Sequence, residues 1–138
     1  MTRINTIAVE HLLDQHLFAE YREITRVSSL ARPLSLYGSY TMGTGHVKFF
    51  YNKGGYLASR CAELLTELVK RGYAATPKEY KAHPIGLNAD WQPNAHDQLV
   101  NLMRLHEKLV DKPTFYKLRG EAVDKDHYTR IIRAITSK

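Results

Sequence analysis

Asp14-Gln15-His16-Leu17-Phe18-Ala19-Glu20-Tyr21-Arg22-Glu23-Ile24-Thr25-Arg26-Val27 is the stretch that decides the fold. Wound as a helix at about 100° per residue, it brings Leu13, Leu17, Tyr21 and Ile24 within about 80° of one another. That makes an apolar stripe, with Asp14 as the expected N-terminal cap. The opposite side is less ordinary. Gln15, Ala19, Arg22 and Arg26 fall within about 60° there, and Glu23 stands at their edge. Two guanidiniums, an amide and a carboxylate around a small Ala19 leave room for something to approach.

Upstream of this helix the chain is too short for a substantial element. Ile4, Ile7, Val9 and Leu12 are expected to anchor it in the core, against the fraying usual at a free terminus. Downstream, Pro33 limits the helix, because the residue before a proline avoids helical angles. The Gly- and Ser-rich residues 34–45 read as a loop, and 45–51 as a short buried turn or helix. Leu57, Cys61, Leu64, Leu65, Leu68 and Val69 recur at helical spacing, with Lys70 and Arg71 at the negative end and Gly72 as C-terminal cap. Residues 73–93, with three prolines, form a long connection around Trp91. A third helix starts near Asn94, with Asp97 as its capping partner. Leu99, Leu102, Met103, His106, Leu109 and Val110 are its expected apolar face, and Pro113 stops it. Tyr128, Ile131, Ile132 and Ile135 mark a shorter closing helix. The expected fold is all-α: one compact domain over 1–138, with three main helices, an N-terminal segment packed into the core and a short C-terminal helix.

Twenty basic residues against fourteen acidic give a net charge of +6, which favours a polyanionic partner. The excess lies in residues 46–73, 98–125 and 126–138, while 1–32 is neutral, so a DNA-binding surface would be assembled from several elements. Arg104 and Lys108 stand one turn apart on the third helix, pointing away from its apolar face, which reads either as a simple solvated face or as a pair of phosphate contacts. A lone cysteine excludes an internal disulfide and fits a reducing compartment. With no signal peptide and no apolar run long enough to span a bilayer, a soluble cytoplasmic monomer that neither enters a membrane nor is secreted is expected. The seven histidines show no zinc-site spacing, and no Asp/Glu cluster suits magnesium. No metal and no cofactor are expected.

Several segments in order carry a resemblance: Thr2-Arg3-Ile4-Asn5, Asp14-Gln15-His16-Leu17, Ala19-Glu20-Tyr21-Arg22-Glu23, Thr44-Gly45-His46-Val47-Lys48-Phe49-Phe50-Tyr51-Asn52-Lys53, Lys70-Arg71-Gly72-Tyr73, Arg104-Leu105-His106-Glu107-Lys108 and Pro113-Thr114-Phe115-Tyr116-Lys117. Together they resemble the pyrimidine-dimer DNA glycosylases, the phage and viral dimer-specific endonuclease V type. The match thins between Val27 and Met42 and after Gly120. The resemblance implies base-excision repair of UV-induced cyclobutane pyrimidine dimers, with double-stranded DNA bearing such lesions or abasic sites as partner. It implies that the duplex is kinked and the base opposite the lesion flipped out, for which unstacking is cheapest at damaged sites.

The nucleophile must be activated. Cys61 lies on an apolar face and no serine sits in a nucleophile elbow. Thr2 is small enough for Met1 to be removed, and an α-amine titrates near ~8, well below the lysine ~10.4. Its neutral form can attack the sugar C1′ and form a Schiff base. In the family this amine displaces the damaged base, and the imine permits β-elimination of the 3′ phosphate. The resemblance gives Glu23 the charge developing at C1′ and the later proton transfers. Arg22 and Arg26 would keep Glu23 ionised and hold flanking phosphates, and Arg3 would fix the N-terminal strand and a phosphate. Gln15 and His16 complete the expected DNA face. For Phe115-Tyr116-Lys117 two readings stand: stacking on bases with Tyr116 and Lys117 at the DNA, or packing of a terminal segment onto the core. Two alternative functions remain: a same-fold enzyme for another lesion, such as a ring-opened purine, and an idle DNA-binding module. Retention of Thr2 and Glu23 counts against the second.

Overall fold

The first helix, α1, runs Asp14–Ser29. Leu13, Leu17, Tyr21 and Ile24 are all buried, as the stripe requires. Asp14 is its first residue and not its cap: the Leu17 amide donates to the Leu13 carbonyl at 2.9 Å, and the Asp14 carboxylate is engaged by other elements. The computed structural model describes residues 4–29, 50, 53–77 and 91–137, without the side chains of 25–29 and 54. The expected loop over 34–45, most of 45–51 and most of the 73–93 connection lie outside them.

Ile4, Ile7 and Leu12 are buried beneath the helices, and the short 3-10 turn Val9–His11 leads into α1. The second helix, α2, spans Gly54–Lys70. It ends in a Schellman motif, in which the Tyr73 amide reaches the Leu68 carbonyl and the Gly72 amide that of Val69, both at 3.0 Å. Gly72 has φ +88°, which a side chain would resist. The buried face of α2 is rotated from the expected one. Val69 is exposed, while Arg60 and Glu67 are buried among the leucines.

The third helix, α3, spans Ala95–Asp111 and opens on a capping box formed by Asn94 and Asp97. Its buried face departs from the apolar pattern. Met103 is 59% exposed and Val110 also exposed, whereas Asn101 and Leu105 are buried. The helix is turned by about one residue, or about 100°, because Asn101 serves the N-terminal segment described below. The fourth helix, α4, His127–Thr136, packs on α3 with Tyr128 fully buried. Between α3 and α4 lies a hairpin absent from the sequence expectation, β1 Lys117–Leu118 with β2 Glu121–Ala122, antiparallel with Lys117 opposite Ala122. Among the described residues the fold is thus helical with one small hairpin, the expected all-α class. Phe50 stacks on Tyr56 and meets Trp91 edge-on, closing one end of the core.

Candidate active site

A buried polar network fixes the segment that follows residues 1–3. Asn5 Nδ2 donates to Glu20 Oε1 at 2.8 Å, and Asn101 Nδ2 donates to Asn5 Oδ1 at 2.7 Å. The Thr6 amide donates to Asn101 Oδ1 at 2.7 Å, and the Tyr56 hydroxyl to the Asn5 carbonyl at 2.8 Å. Glu20 is 0% exposed. Its carboxylate is forked by Arg60, Nε to Oε2 at 2.8 Å and Nη2 to Oε1 at 3.1 Å. Arg60 Nη1 donates to the Ile7 carbonyl. Burial alone would lower the Arg60 pKa, but Glu20 beside it holds it above its ordinary value. A buried carboxylate is tolerable only with such complete pairing. The chain therefore leaves Asn5 toward its N-terminus from a fixed point on α1.

Glu23 stands three residues, one turn, beyond Glu20 on α1 and is half-buried, while Arg22 is exposed. The Arg26 side chain, Thr2 and Arg3 lie outside the described residues. Ala19 is half-buried, consistent with a face kept low by a small residue.

Gln15 and Asp14 do something the sequence did not suggest: they hold the hairpin. Gln15 Nε2 donates to the Phe115 carbonyl at 3.0 Å and its Oε1 accepts from the Lys117 amide at 2.9 Å. Asp14 accepts from the Arg119 and Gly120 amides at 3.0 and 2.8 Å, from Arg71 Nη1 at 2.9 Å and from the Tyr73 hydroxyl at 2.7 Å. Arg119 and Gly120 both have positive φ, 51° and 81°, the geometry of a type I′ hairpin turn. A non-glycine residue resists that region, and the two amide bonds to Asp14 hold it there. Burial would raise the Asp14 pKa, but the Tyr73, Gly120, Arg119 and Arg71 hydrogen bonds outweigh it and keep the carboxylate below its ordinary value. The hairpin in turn presents Phe115 56% exposed while Tyr116 is buried. The two readings of this segment divide between neighbours, since Phe115 is open and Tyr116 packs inward against His16 at 4.5 Å between ring centroids.

His16 lies deeper than its helix position suggests. Expected on the open face with Gln15, it is 8% exposed, lying between Tyr116 and Tyr128, with Nδ1 2.7 Å from the Tyr128 hydroxyl. Burial, with the nearby Lys108 and His127, lowers its pKa to about 3. Tyr116, also expected at DNA, is buried for the same packing reason. Lys117 is half-buried. On α3, Arg104 and Lys108 are half-buried and not fully turned outward. Arg104 Nη1 lies 3.5 Å from Glu107, and its Nε is buried without a hydrogen-bond partner among the described residues. Cys61 is buried. Among the described residues, no three of His, Cys, Asp and Glu form a group that could hold a metal ion.

The residues missed by sequence reasoning are Asn5, Glu20, Arg60, Asn101 and Tyr128. Glu20 was detectable: at helical spacing it falls about 20° from Leu13, inside the apolar stripe, where a lone carboxylate must have a partner. Arg60 carries the matching signal on α2.

An N-terminal segment anchored on a helix that carries Glu23, Arg22 and Arg26, in a chain of net charge +6, suits an enzyme that works on a polyanion. The family model for "Pyrimidine dimer DNA glycosylase" matches residues 1–81 of the 138, the span holding the whole of α1 and α2 and, with them, Asn5, Glu20 and Arg60. The chain belongs to the pyrimidine dimer DNA glycosylase family, enzymes of DNA repair.

Proposed function

We propose that this glycosylase excises cyclobutane pyrimidine dimers and then cleaves the resulting abasic site, with the Thr2 α-amine as nucleophile after removal of Met1. One observation carries the reading: Asn5 is locked to Glu20 at 2.8 Å, one turn of α1 before Glu23. Three residues of extended chain span at most about 10–11 Å, and one helical turn rises about 5.4 Å. Chain of that length suffices for the Thr2 amine to meet the Glu23 carboxylate.

The division of labour follows from charge. Neutral amine attacks C1′ as the base leaves, and the Glu23 carboxylate stabilises the positive charge building on the sugar. The C1′–O4′ bond then opens as the nitrogen gives up a proton and O4′ takes one, which leaves the sugar on the nitrogen as an imine; loss of a C2′ proton expels the 3′ phosphate, with Glu23 placed to carry protons. Arg22, Arg26 and Arg3 hold the phosphates around the reacting sugar, Arg104, Lys108 and Lys117 the flanking duplex. Gln15, Asp14 and Arg71 act through the hairpin, which sets exposed Phe115 at its rim. The test is a panel of duplexes carrying one dimer, one ring-opened purine, one abasic site or none. Incision of the dimer duplex at the lesion, and of the abasic duplex, is expected. Excision of the ring-opened purine with the dimer left intact would assign another lesion, and binding without incision an idle module.

A further inference from the structure

Asn101 stands on α3, outside the residues that the family model matches, yet both ends of its side chain are turned to the N-terminal segment. The fully buried amide accepts at Oδ1 from the Thr6 backbone N–H at 2.7 Å and from the Thr6 hydroxyl at 3.3 Å, while Nδ2 donates to Asn5 Oδ1 at 2.7 Å. Asn5 Nδ2 donates in turn to Glu20 Oε1 at 2.8 Å. The direction of this relay is forced at both ends. A backbone N–H can only donate, so Asn101 must present its oxygen to Thr6. The Glu20 carboxylate, forked by Arg60, can only accept, so Asn5 must present its nitrogen there. Each amide is thereby fixed against the flip that its shape would otherwise allow.

The same segment is held along its backbone from α2 and α3. Tyr56 donates to the Asn5 carbonyl, Asn101 accepts from the Thr6 amide, and Arg60 donates to the Ile7 carbonyl. Ile4 and Ile7 are buried as well, but apolar burial is non-directional. Packing sets how deep the segment lies, and the hydrogen bonds set where it points. We propose that Asn101 is a positioning residue for the nucleophile: the relay from Thr6 through Asn101 and Asn5 to Glu20 aims the chain that leads to the Thr2 amine. This rests on the reading of Thr2 as the attacking group.

Asn101→Asp tests the relay, because it keeps the shape and the acceptor for Thr6 but sets an oxygen against Asn5 Oδ1. Turning Asn5 over only moves the clash to Glu20. The variant should bind a duplex carrying a tetrahydrofuran abasic-site analogue as wild type does. On an abasic duplex, in single turnover, it should form the borohydride-trapped adduct roughly ten- to a hundredfold more slowly, the cost of a misplaced reacting group. Glu20→Gln added to it lets Asn5 turn over and the relay run the other way, so the double variant should trap faster than either single one. Asn101→Ser is too short for either partner and buries no charge. It should speed hydrogen exchange at the Thr6 amide and slow trapping, with no rescue by Glu20→Gln. Trapping on Thr2 at the wild-type rate in Asn101→Asp and Asn101→Ser, or a double variant no faster than the singles, overturns the proposal. A wild-type adduct on a lysine side chain would instead overturn the Thr2 reading, and the proposal with it.

Discussion

Glu20 and Arg60 meet inside the protein, α1 to α2, through two hydrogen bonds of 2.8 and 3.1 Å. The same carboxylate holds Asn5. One buried ion pair therefore joins α1 and α2 to the N-terminal segment at Asn5.

Arg60→Met separates these roles. It strands the Glu20 carboxylate in the core, which typically costs about 3–5 kcal/mol, seen as a lower urea midpoint. Below its unfolding range the variant should still bind duplex DNA, since Arg60 is buried, but form the covalent intermediate more slowly because the Glu20 carboxylate that holds Asn5 loses its own partner. Unchanged stability would mean that Glu20 is neutralised or rehydrated.

Asp14→Asn should loosen the hairpin. The carboxylate accepts four hydrogen bonds, and charged acceptors make the stronger ones, about 1.5–3 kcal/mol each. A loss of at least about 2 kcal/mol near neutral pH is expected. Its folded pKa is depressed, so this stabilisation is present above the unfolded carboxylate value and disappears as the pH falls through the folded one. Wild type and variant should converge in strong acid; a gap that persists there would assign the effect to packing.

The first helix was legible because Leu13, Leu17, Tyr21 and Ile24 follow its period closely, and the second for the same reason. Legibility failed where polar residues are buried. Asn101 draws α3 round toward Thr6 and Asn5, leaving Met103 and Val110 outside, and no apolar count contains that pull. The hairpin was hidden because its turn is Arg119-Gly120, whose first residue adopts left-handed geometry only with help from Asp14, more than a hundred positions earlier. His16 reads as a polar residue on a polar flank; Tyr116 and Tyr128, distant in sequence, make it interior.

That burial has a pH signature. His16 titrates at about 3 when folded, against about 6.5 unfolded, so between those values the unfolded chain binds the extra proton. Stability should then fall as pH drops from about 6.5, by at most about 1.4 kcal/mol per pH unit from this group. His127, also depressed, first by burial, acts in the same direction. The urea midpoint should decline between pH 7 and 5, and His16→Gln should flatten the decline. A flat wild-type profile would mean that His16 is hydrated or charged in the fold.

Glu23→Gln should remove dimer excision by a few hundredfold, about 3–4 kcal/mol, as for other single groups aimed at transition-state charge. Affinity for dimer DNA should hold or rise, because an anion facing an anionic ligand is gone. Attack on an already open abasic aldehyde should suffer less. Lost binding with normal turnover at saturation would make Glu23 a structural ion-pair partner.

The N-terminal nucleophile is tested most directly by borohydride trapping on abasic duplex, with the reduced adduct mapped by mass spectrometry of its peptides. The sugar is expected on the Thr2 nitrogen, with Thr2→Ala still trapped and N-terminal acetylation or one residue inserted before Thr2 abolishing the adduct and dimer incision together. An adduct on a lysine side chain, or dimer incision by the acetylated protein, would contradict the assignment.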